Sequence, residues 1–291
     1  MNKAVQEQVP DGHGLADAGL VRWVSEARRS VAPSCRDAGV QRLRAAARAR
    51  TAGRPRGPEL PLVQDLRTDH GLAVRLYRPS QGLRPTVLYL HGGGFVIGDL
   101  ESPDGTCRRL AQIADVTVLA VDYRLAPEHP GPAAVEDAVS AFVWARQQLQ
   151  ELGGDPETGV ALAGDSSGGA LAVLAAVRLH ADEMTPTALL LAYPNADMTL
   201  RGDSVTQEGH GWGLVADDLR WFVEQWLPEG GVVGGGDVNL GAGFGLPLPA
   251  EAHGGQSETQ TQSTPSFSPV KDFVNGRRNW ATSLAASRMG Y

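Results

Sequence analysis

The sequence has few cysteines and no long apolar run. Cys35 and Cys107 are its only two cysteines, and their spacing matches no metal site or redox motif, so both are expected to be buried free thiols. No stretch approaches the ~18 consecutive apolar residues of a membrane-spanning helix, so no membrane span is expected. The first twenty residues lack the apolar core of a signal peptide, which makes the cytoplasm the predicted location.

Positive charge is also scarce. The chain has 33 acidic and 26 basic residues, and its formal net charge is −7. No run of lysine or arginine forms a basic patch, so a nucleic-acid-binding surface is not expected. The length of 291 residues and the hydrophobic fraction of 42% are sufficient for one large α/β domain or two small ones.

The strongest functional signal lies in Val160–Ala170. A short apolar run ends at Gly164, and a helix rich in small residues is predicted from Ser167. Gly164–Gly168 (Gly-Asp-Ser-Ser-Gly) is therefore a G-x-S-x-G sequence between a strand and a helix, which is the setting of a nucleophile elbow. The sharp turn is predicted to strain the backbone of Ser166 and to exclude side chains at both glycines. By itself, the motif is also compatible with an ordinary Gly/Ser turn.

A second glycine turn precedes this motif. Thr86–Leu90 is predicted to be a strand and leads into His91–Phe95 (His-Gly-Gly-Gly-Phe). Three consecutive glycines let the backbone approach a ligand and direct N–H groups at one point. The backbone N–H groups of Gly93, Gly94 and Ser167 are the predicted oxyanion-hole donors. A flexible glycine loop is the alternative.

Three sequence blocks together carry a family resemblance: His91–Asp99 (HGGGFVIGD), Asp122–Pro130 (DYRLAPEHP) and Gly164–Gly169 (GDSSGG). In content and order they resemble the hormone-sensitive-lipase family of α/β-hydrolases, which includes the bacterial family IV carboxylesterases. The resemblance is strong over Leu62–Pro194. Ser167 stands where that family usually has Ala, a change that leaves the backbone donor in place.

The resemblance implies both a fold and a function. The expected fold is the α/β-hydrolase fold, with a mostly parallel central sheet, helices on both faces and a helical cap. The expected activity is hydrolysis of short- to medium-chain acyl or acetyl esters, with Ser166 as nucleophile. The expected partner is a small-molecule ester, and neither a metal nor an organic cofactor is implied.

The chain divides into three predicted regions. Residues 1–55 are predicted to hold the N-terminal cap helices and a linker. Residues 56–228 are the predicted hydrolase core, with a cap insertion around 197–228 that includes an amphipathic helix over Trp212–Trp226. Residues 229–291 are low in complexity, rich first in Gly and then in Gln, Ser and Thr, and do not resemble the family.

The acid and the histidine of a catalytic triad are not recognisable after Ser166. The family has D-P-L and H-G-F turns there, and neither occurs, so the last strands of the fold are predicted to be missing. His180 is predicted at a helix end, and His210 on the cap side. Asp237 and His253 satisfy the chain order of a substitute triad, although they lie in the low-complexity segment.

Two functional hypotheses therefore stay open. One is an ester hydrolase, and the other is a catalytically impaired hydrolase-fold protein that only binds small molecules. Without further strands, the predicted strand Ala188–Tyr193 would form an exposed apolar sheet edge. Such edges pair with other chains, so self-association through this edge is predicted.

Overall fold

The structure, a computed structural model, describes residues 18–29, 33–195, 197–207, 209–210 and 214–227. The elements in these ranges are, in chain order, α1 (Ala18–Arg29), α2 (Cys35–Ala52), β1 (Leu62–Arg67), β2 (Ala73–Arg78), β3 (Thr86–Leu90), α3 (Asp104–Ala114), β4 (Thr117–Val121), α4 (Ala133–Gln147), β5 (Val160–Asp165), α5 (Ser167–Ala181), β6 (Leu189–Ala192), α6 (Asp203–Gln207) and α7 (Ala216–Trp226). Within them, no helix has both the length and the apolar character needed to span a membrane.

The strands form one mixed sheet in the order β1-β2-β4-β3-β5-β6. β1 pairs with β2, and β2 with β4, in antiparallel fashion, whereas β4, β3, β5 and β6 are parallel. The hairpin between β1 and β2 turns at Gly71, whose φ of +82° favours glycine. The expected mostly parallel sheet is thus confirmed. The predicted absence of further strands falls on residues outside the described ranges and stays a prediction.

Neighbouring residues of each central strand point to opposite faces of the sheet, and each face has its own helices. Leu88 packs in a core that contains residues of α4 and α5. Tyr89 packs on the other face, with Cys107 and Ala111 of α3. Helices therefore cover both faces, as expected. This double burial explains why all five residues of β4 are buried and why only the first, Thr117, is polar.

α2 and α7, which lie in the two regions predicted to form the cap, contact each other. The N–H of Cys35 donates to the Asp218 carboxylate at 2.7 Å, and Arg36 forms an ion pair with Glu224 at 2.7 Å. The helix predicted from Trp212 begins only at Ala216, because Val215 before it has an extended backbone. Trp212 itself lies outside the described residues.

A stacked aromatic pair connects α7 to the core. The ring of Trp226 stacks on that of Phe95, with centroids 4.0 Å apart, and both side chains are buried. Phe95 directly follows the three-glycine turn, so α7 is packed against the turn that was predicted to bind an oxyanion.

Candidate active site

Ser166 lies in the sharp turn between β5 and α5. Its φ of 53° and ψ of −121° fall in a region that residues with a Cβ rarely occupy. Its N–H donates to the carbonyl of Ala192 at 2.9 Å, and its carbonyl accepts the N–H of Asn195 at 3.2 Å. β6 and the loop after it therefore hold the strained turn in place.

The two glycines that flank this turn allow close backbone contact. A Cβ at Gly164 would overlap the backbone of Gly168, and a Cβ at Gly168 would overlap the carbonyl oxygens of Leu90 and His91. Since Leu90 pairs with Gly164 across the parallel strands β3 and β5, the elbow lies directly beside the glycine turn. The two motifs, more than 70 residues apart in sequence, thus share one end of the sheet.

The glycine turn has the backbone conformation that only glycine adopts easily. Gly93 has a φ of +137° and Gly94 a φ of +60°. The N–H groups of Val96 and Ile97 donate to the Gly93 carbonyl at 3.1 and 3.0 Å, which closes the turn.

The predicted oxyanion donors have no acceptor in the described part of the chain. The backbone N–H groups of Gly93, Gly94 and Ser167 donate to none of its residues. The ring of Phe222, from α7, lies against Gly94 so closely that a Cβ there would overlap it. Phe222 of α7 therefore contacts the turn that carries two of the three predicted donors.

The carboxylate of Asp165 connects the elbow to the glycine turn. It accepts the Tyr89 hydroxyl at 2.9 Å, the backbone N–H of Gly92 at 3.0 Å and the Tyr193 hydroxyl at 3.4 Å. Burial raises the pKa of Tyr89, and the negative charge of Asp165 raises it further, so Tyr89 stays a protonated donor at neutral pH. Asp165 thereby ties β5, β3 and the end of β6 together around Ser166.

His91 is a structural residue beneath the turn. Its ring stacks on Tyr123 at a centroid distance of 4.3 Å, and the Tyr123 hydroxyl donates to the His91 carbonyl at 2.6 Å. Burial lowers the pKa of His91, which favours the neutral imidazole. The ring lies under the backbone of Gly98, where a Cβ would overlap it.

The structure does not bring a histidine of the described ranges to Ser166. His180 lies at the C-terminal end of α5, where its Nδ1 is 3.2 Å from the Thr185 hydroxyl. His210 is exposed between α6 and α7. Asp237 and His253 lie outside the described residues.

No metal site is found in the described residues either, because no group of three or more His, Cys, Asp or Glu side chains is placed to hold an ion.

Sequence reasoning missed three residues that shape the site, which are Tyr89, Tyr123 and Asp165. Asp165 belongs to the G-x-S-x-G motif, but the motif does not indicate what its side chain contacts. A signal was present for Tyr89, because polar groups at the carboxyl ends of adjacent parallel strands lie close together. That signal becomes useful only once β3 and β5 are known to be neighbours.

Comparison with known proteins places these features in a family. A family model described as the alpha/beta hydrolase fold matches residues 87–233. The carboxylic ester hydrolase LipN of Mycobacterium tuberculosis is 42% identical over 168 residues, which cover 55% of this chain and 44% of that protein. The ethyl acetate hydrolase of Pseudomonas putida is 43% identical over 166 residues, covering 55% and 52%. The chain thus spans about half the length of the curated relatives it matches.

Solved structures show the same fold. The hyperthermophilic esterase of the archaeon Pyrobaculum calidifontis is 34% identical, with a TM-score of 0.61 over 71% of this chain and 68% of that one. The carboxylesterase EstE1, cloned from a metagenomic library, is 35% identical with a TM-score of 0.60, over 68% and 69%.

Proposed function

This chain belongs to the α/β-hydrolase fold family, in its hormone-sensitive-lipase-like branch, and from that premise we propose that it hydrolyses carboxylic esters. One observation carries the proposal. The strained turn at Ser166 lies beside a glycine turn in which the N–H groups of Gly93 and Gly94 have no acceptor in the described residues, and Asp165 links the two turns. A nucleophile and an oxyanion site side by side are what acyl transfer requires.

In the proposed reaction, the Ser166 hydroxyl attacks the acyl carbonyl while a general base takes its proton. The N–H groups of Gly93, Gly94 and Ser167 bind the oxygen that becomes negative. One such donor contributes roughly 10²–10³ in rate in a known hydrolase. Loss of the alcohol leaves an acyl-enzyme on Ser166, and water then releases the acid.

The proposed acyl group is short to medium in length. Phe222 lies against Gly94, so the space beside the oxyanion donors is bounded by an aromatic ring of α7. The curated relatives include an ethyl acetate hydrolase, which is consistent with small acyl groups.

The proposed reaction also requires a general base. Asp237 and His253 are its proposed triad members, since they follow Ser166 in the order acid then histidine. The second candidate function is small-molecule binding without turnover. It is favoured by the lack of a hydrogen bond from Ser166 to any histidine in the described ranges.

Hydrolysis of p-nitrophenyl acetate and butyrate by the purified full chain, beside Ser166→Ala, separates the two functions. The esterase proposal expects turnover that Ser166→Ala abolishes. It also expects His253→Gln to lower kcat by at least about 10³, because isolated triad losses in a known hydrolase are of that order or larger.

His180→Gln serves as the matched control, because His180 lies at a helix end with Thr185 as its partner. Its activity should equal that of the wild type. Turnover no higher than in Ser166→Ala would instead assign the chain to binding alone. Loss of activity in His210→Gln, with His253→Gln fully active, would move the general base to the cap.

A further inference from the structure

A cavity of about 540 Å³ opens between the end of α2, the linker after it and the start of α3. Four arginine side chains line it, in a chain whose formal net charge is −7. They are Arg48, Arg54, Arg56 and Arg109. Arg48, Arg54 and Arg56 are close together in the sequence, and the fold adds Arg109 from α3.

Three carboxylates also line the cavity, but each is already bound by protein groups. Asp104 accepts Arg108 Nε at 2.8 Å and the Tyr77 hydroxyl at 3.1 Å. Glu101 accepts Arg75 at 2.8 Å. Asp99 accepts the backbone N–H groups of Glu101 and Ser102 at 3.1 and 3.0 Å, and the Ser102 hydroxyl at 2.9 Å. Protein groups other than Arg48, Arg54 and Arg109 therefore hold these three acids.

The arginines themselves are left largely without anionic partners. The guanidinium groups of Arg48 and Arg54 form no ion pair or hydrogen bond with any residue that the structure describes. Arg109 donates only to the carbonyl of Gly105, at 2.9 Å in its own helix. Arg56 has one partner, Asp104, at the longer distance of 3.7 Å. The cavity thus presents guanidinium groups whose charge the nearby acids do not neutralise.

The cavity and the glycine turn share one loop. Asp99 lines the cavity, and Gly98 before it lies so close to the His91 ring that a Cβ there would overlap it. This loop joins the cavity to the turn that carries two of the proposed oxyanion donors.

We propose that this cavity binds an oxyanion, a carboxylate or a phosphate, carried by the ester substrate. Guanidinium groups suit such ligands because their planar, fork-shaped donors match two oxygens of one anion. The assignment of the anion to the substrate rests on the proposed esterase function. The binding of an oxyanion in the cavity does not depend on that function.

The first test measures binding without catalysis. Sodium succinate is titrated into the full chain by calorimetry at low salt, and the wild type is compared with Arg54→Gln and Arg109→Gln. Each substitution is expected to weaken succinate binding about fivefold, the upper range for a solvent-exposed charge pair. Raising the salt from 0.01 M to 0.5 M should weaken wild-type binding further, since it shortens the range of charge interactions to a few ångströms.

Arg146→Gln is the matched control, because Arg146 is an exposed arginine that lines a separate cavity beside the start of β5. It should bind succinate as the wild type does. Undetectable succinate binding, or equal binding by the wild type and both cavity variants, would overturn the proposal.

The second test identifies the source of the anion. The ratio of kcat/KM for p-nitrophenyl hydrogen succinate to that for p-nitrophenyl butyrate is measured, because the two esters differ in one carboxylate. Arg54→Gln should lower this ratio about fivefold, and Arg146→Gln should not. An unchanged ratio with weakened succinate binding would overturn the substrate assignment and make the oxyanion a separate ligand. If neither ester is hydrolysed, the esterase function fails, and the titration alone decides whether the cavity binds an oxyanion.

Discussion

The carboxylate of Asp165 accepts the backbone N–H of Gly92 at 3.0 Å, although 73 residues separate the two in the chain. Asp165 immediately precedes the proposed nucleophile, and Gly92 immediately precedes the first proposed oxyanion donor. This hydrogen bond thus links the two halves of the site directly, in addition to the pairing of β3 with β5. Catalysis by an oxyanion hole depends on such placement, since the donors must face the developing charge without rearrangement.

We therefore expect Asp165→Ala to lower kcat by roughly 10–100-fold with a much smaller change in KM, because a displacement near 1 Å in a catalytic group can cost about 10² in rate. Asp165→Asn, which keeps an acceptor oxygen, should lower kcat by a smaller factor. Steady-state kinetics with p-nitrophenyl butyrate measure both. Asp182→Ala, which removes an exposed carboxylate after α5, is the control. An unaltered kcat in Asp165→Ala would mean that Gly92 keeps its position without this bond.

The contact between Phe222 and Gly94 predicts acyl selectivity. Replacing Phe222 by Leu should widen the space beside the proposed oxyanion donors and raise the kcat/KM ratio of hexanoate to acetate esters about fourfold. This corresponds to roughly one additional buried methylene at ~0.8 kcal/mol. Competition between the two p-nitrophenyl esters measures the ratio. Phe142→Leu is the control, because Phe142 is buried in α4, and that change should lower only the melting temperature. An equal ratio in both variants would remove Phe222 from the acyl site.

Arg44 of α2 clamps the segment after the glycine turn. It donates to the carbonyls of Val96 and Ala126 at 2.9 and 3.0 Å, and its guanidinium binds both carboxylate oxygens of Glu128 at 2.8 and 2.6 Å. Arg44→Gln is expected to reduce the free energy of unfolding by about 2 kcal/mol at pH 7, because two backbone acceptors and one carboxylate lose their donor. Urea denaturation measures this change.

The loss of unfolding free energy caused by Arg44→Gln, called its cost below, should also depend on pH. The hydrogen bond from Arg44 lowers the pKa of Glu128 in the folded state, so this pair stabilises the protein above the unfolded-state pKa of Glu. Its contribution is lost as the pH falls through the lowered folded-state pKa. At pH 3 the cost of Arg44→Gln should therefore shrink by up to about 1 kcal/mol, the limit for an exposed pair. A cost that grows on acidification would contradict this assignment, and Glu128→Gln should remove the pH dependence.

β6 is the last strand of the sheet in the described residues, and all four of its residues are apolar. Leu190 is 55% exposed and Tyr193, just after the strand, is 75% exposed. We propose that copies of the chain associate through this edge, so light scattering should show a mass above the monomer that rises with concentration. Leu190→Lys should shift the population toward monomer, since a charge on an edge strand opposes pairing. A wild type that stays monomeric at all concentrations would exclude this edge as an interface.

The amino-acid sequence alone determined the features that depend on local backbone and on burial. The apolar run of β4 indicates a strand covered on both faces, and Gly71 indicates the hairpin that joins β1 and β2. The glycines around Ser166 and after His91 mark turns where a Cβ does not fit. These features could be predicted because apolar periodicity and glycine positions reflect short stretches of chain.

Only the tertiary structure decided which distant groups meet. The contacts of Asp165 with Gly92 and of Tyr123 with His91 depend on the sheet order, which inserts β3 between β4 and β5. The contact of Arg44 with Glu128 depends on how α2 packs on the loops that follow β3 and β4. Arg109 likewise joins Arg48, Arg54 and Arg56, which are close in sequence, only when the linker after α2 packs on α3. No sequence spacing encodes these pairs, because a hydrogen bond or a charge cluster depends on distances in space, and those are set by how strands and helices pack.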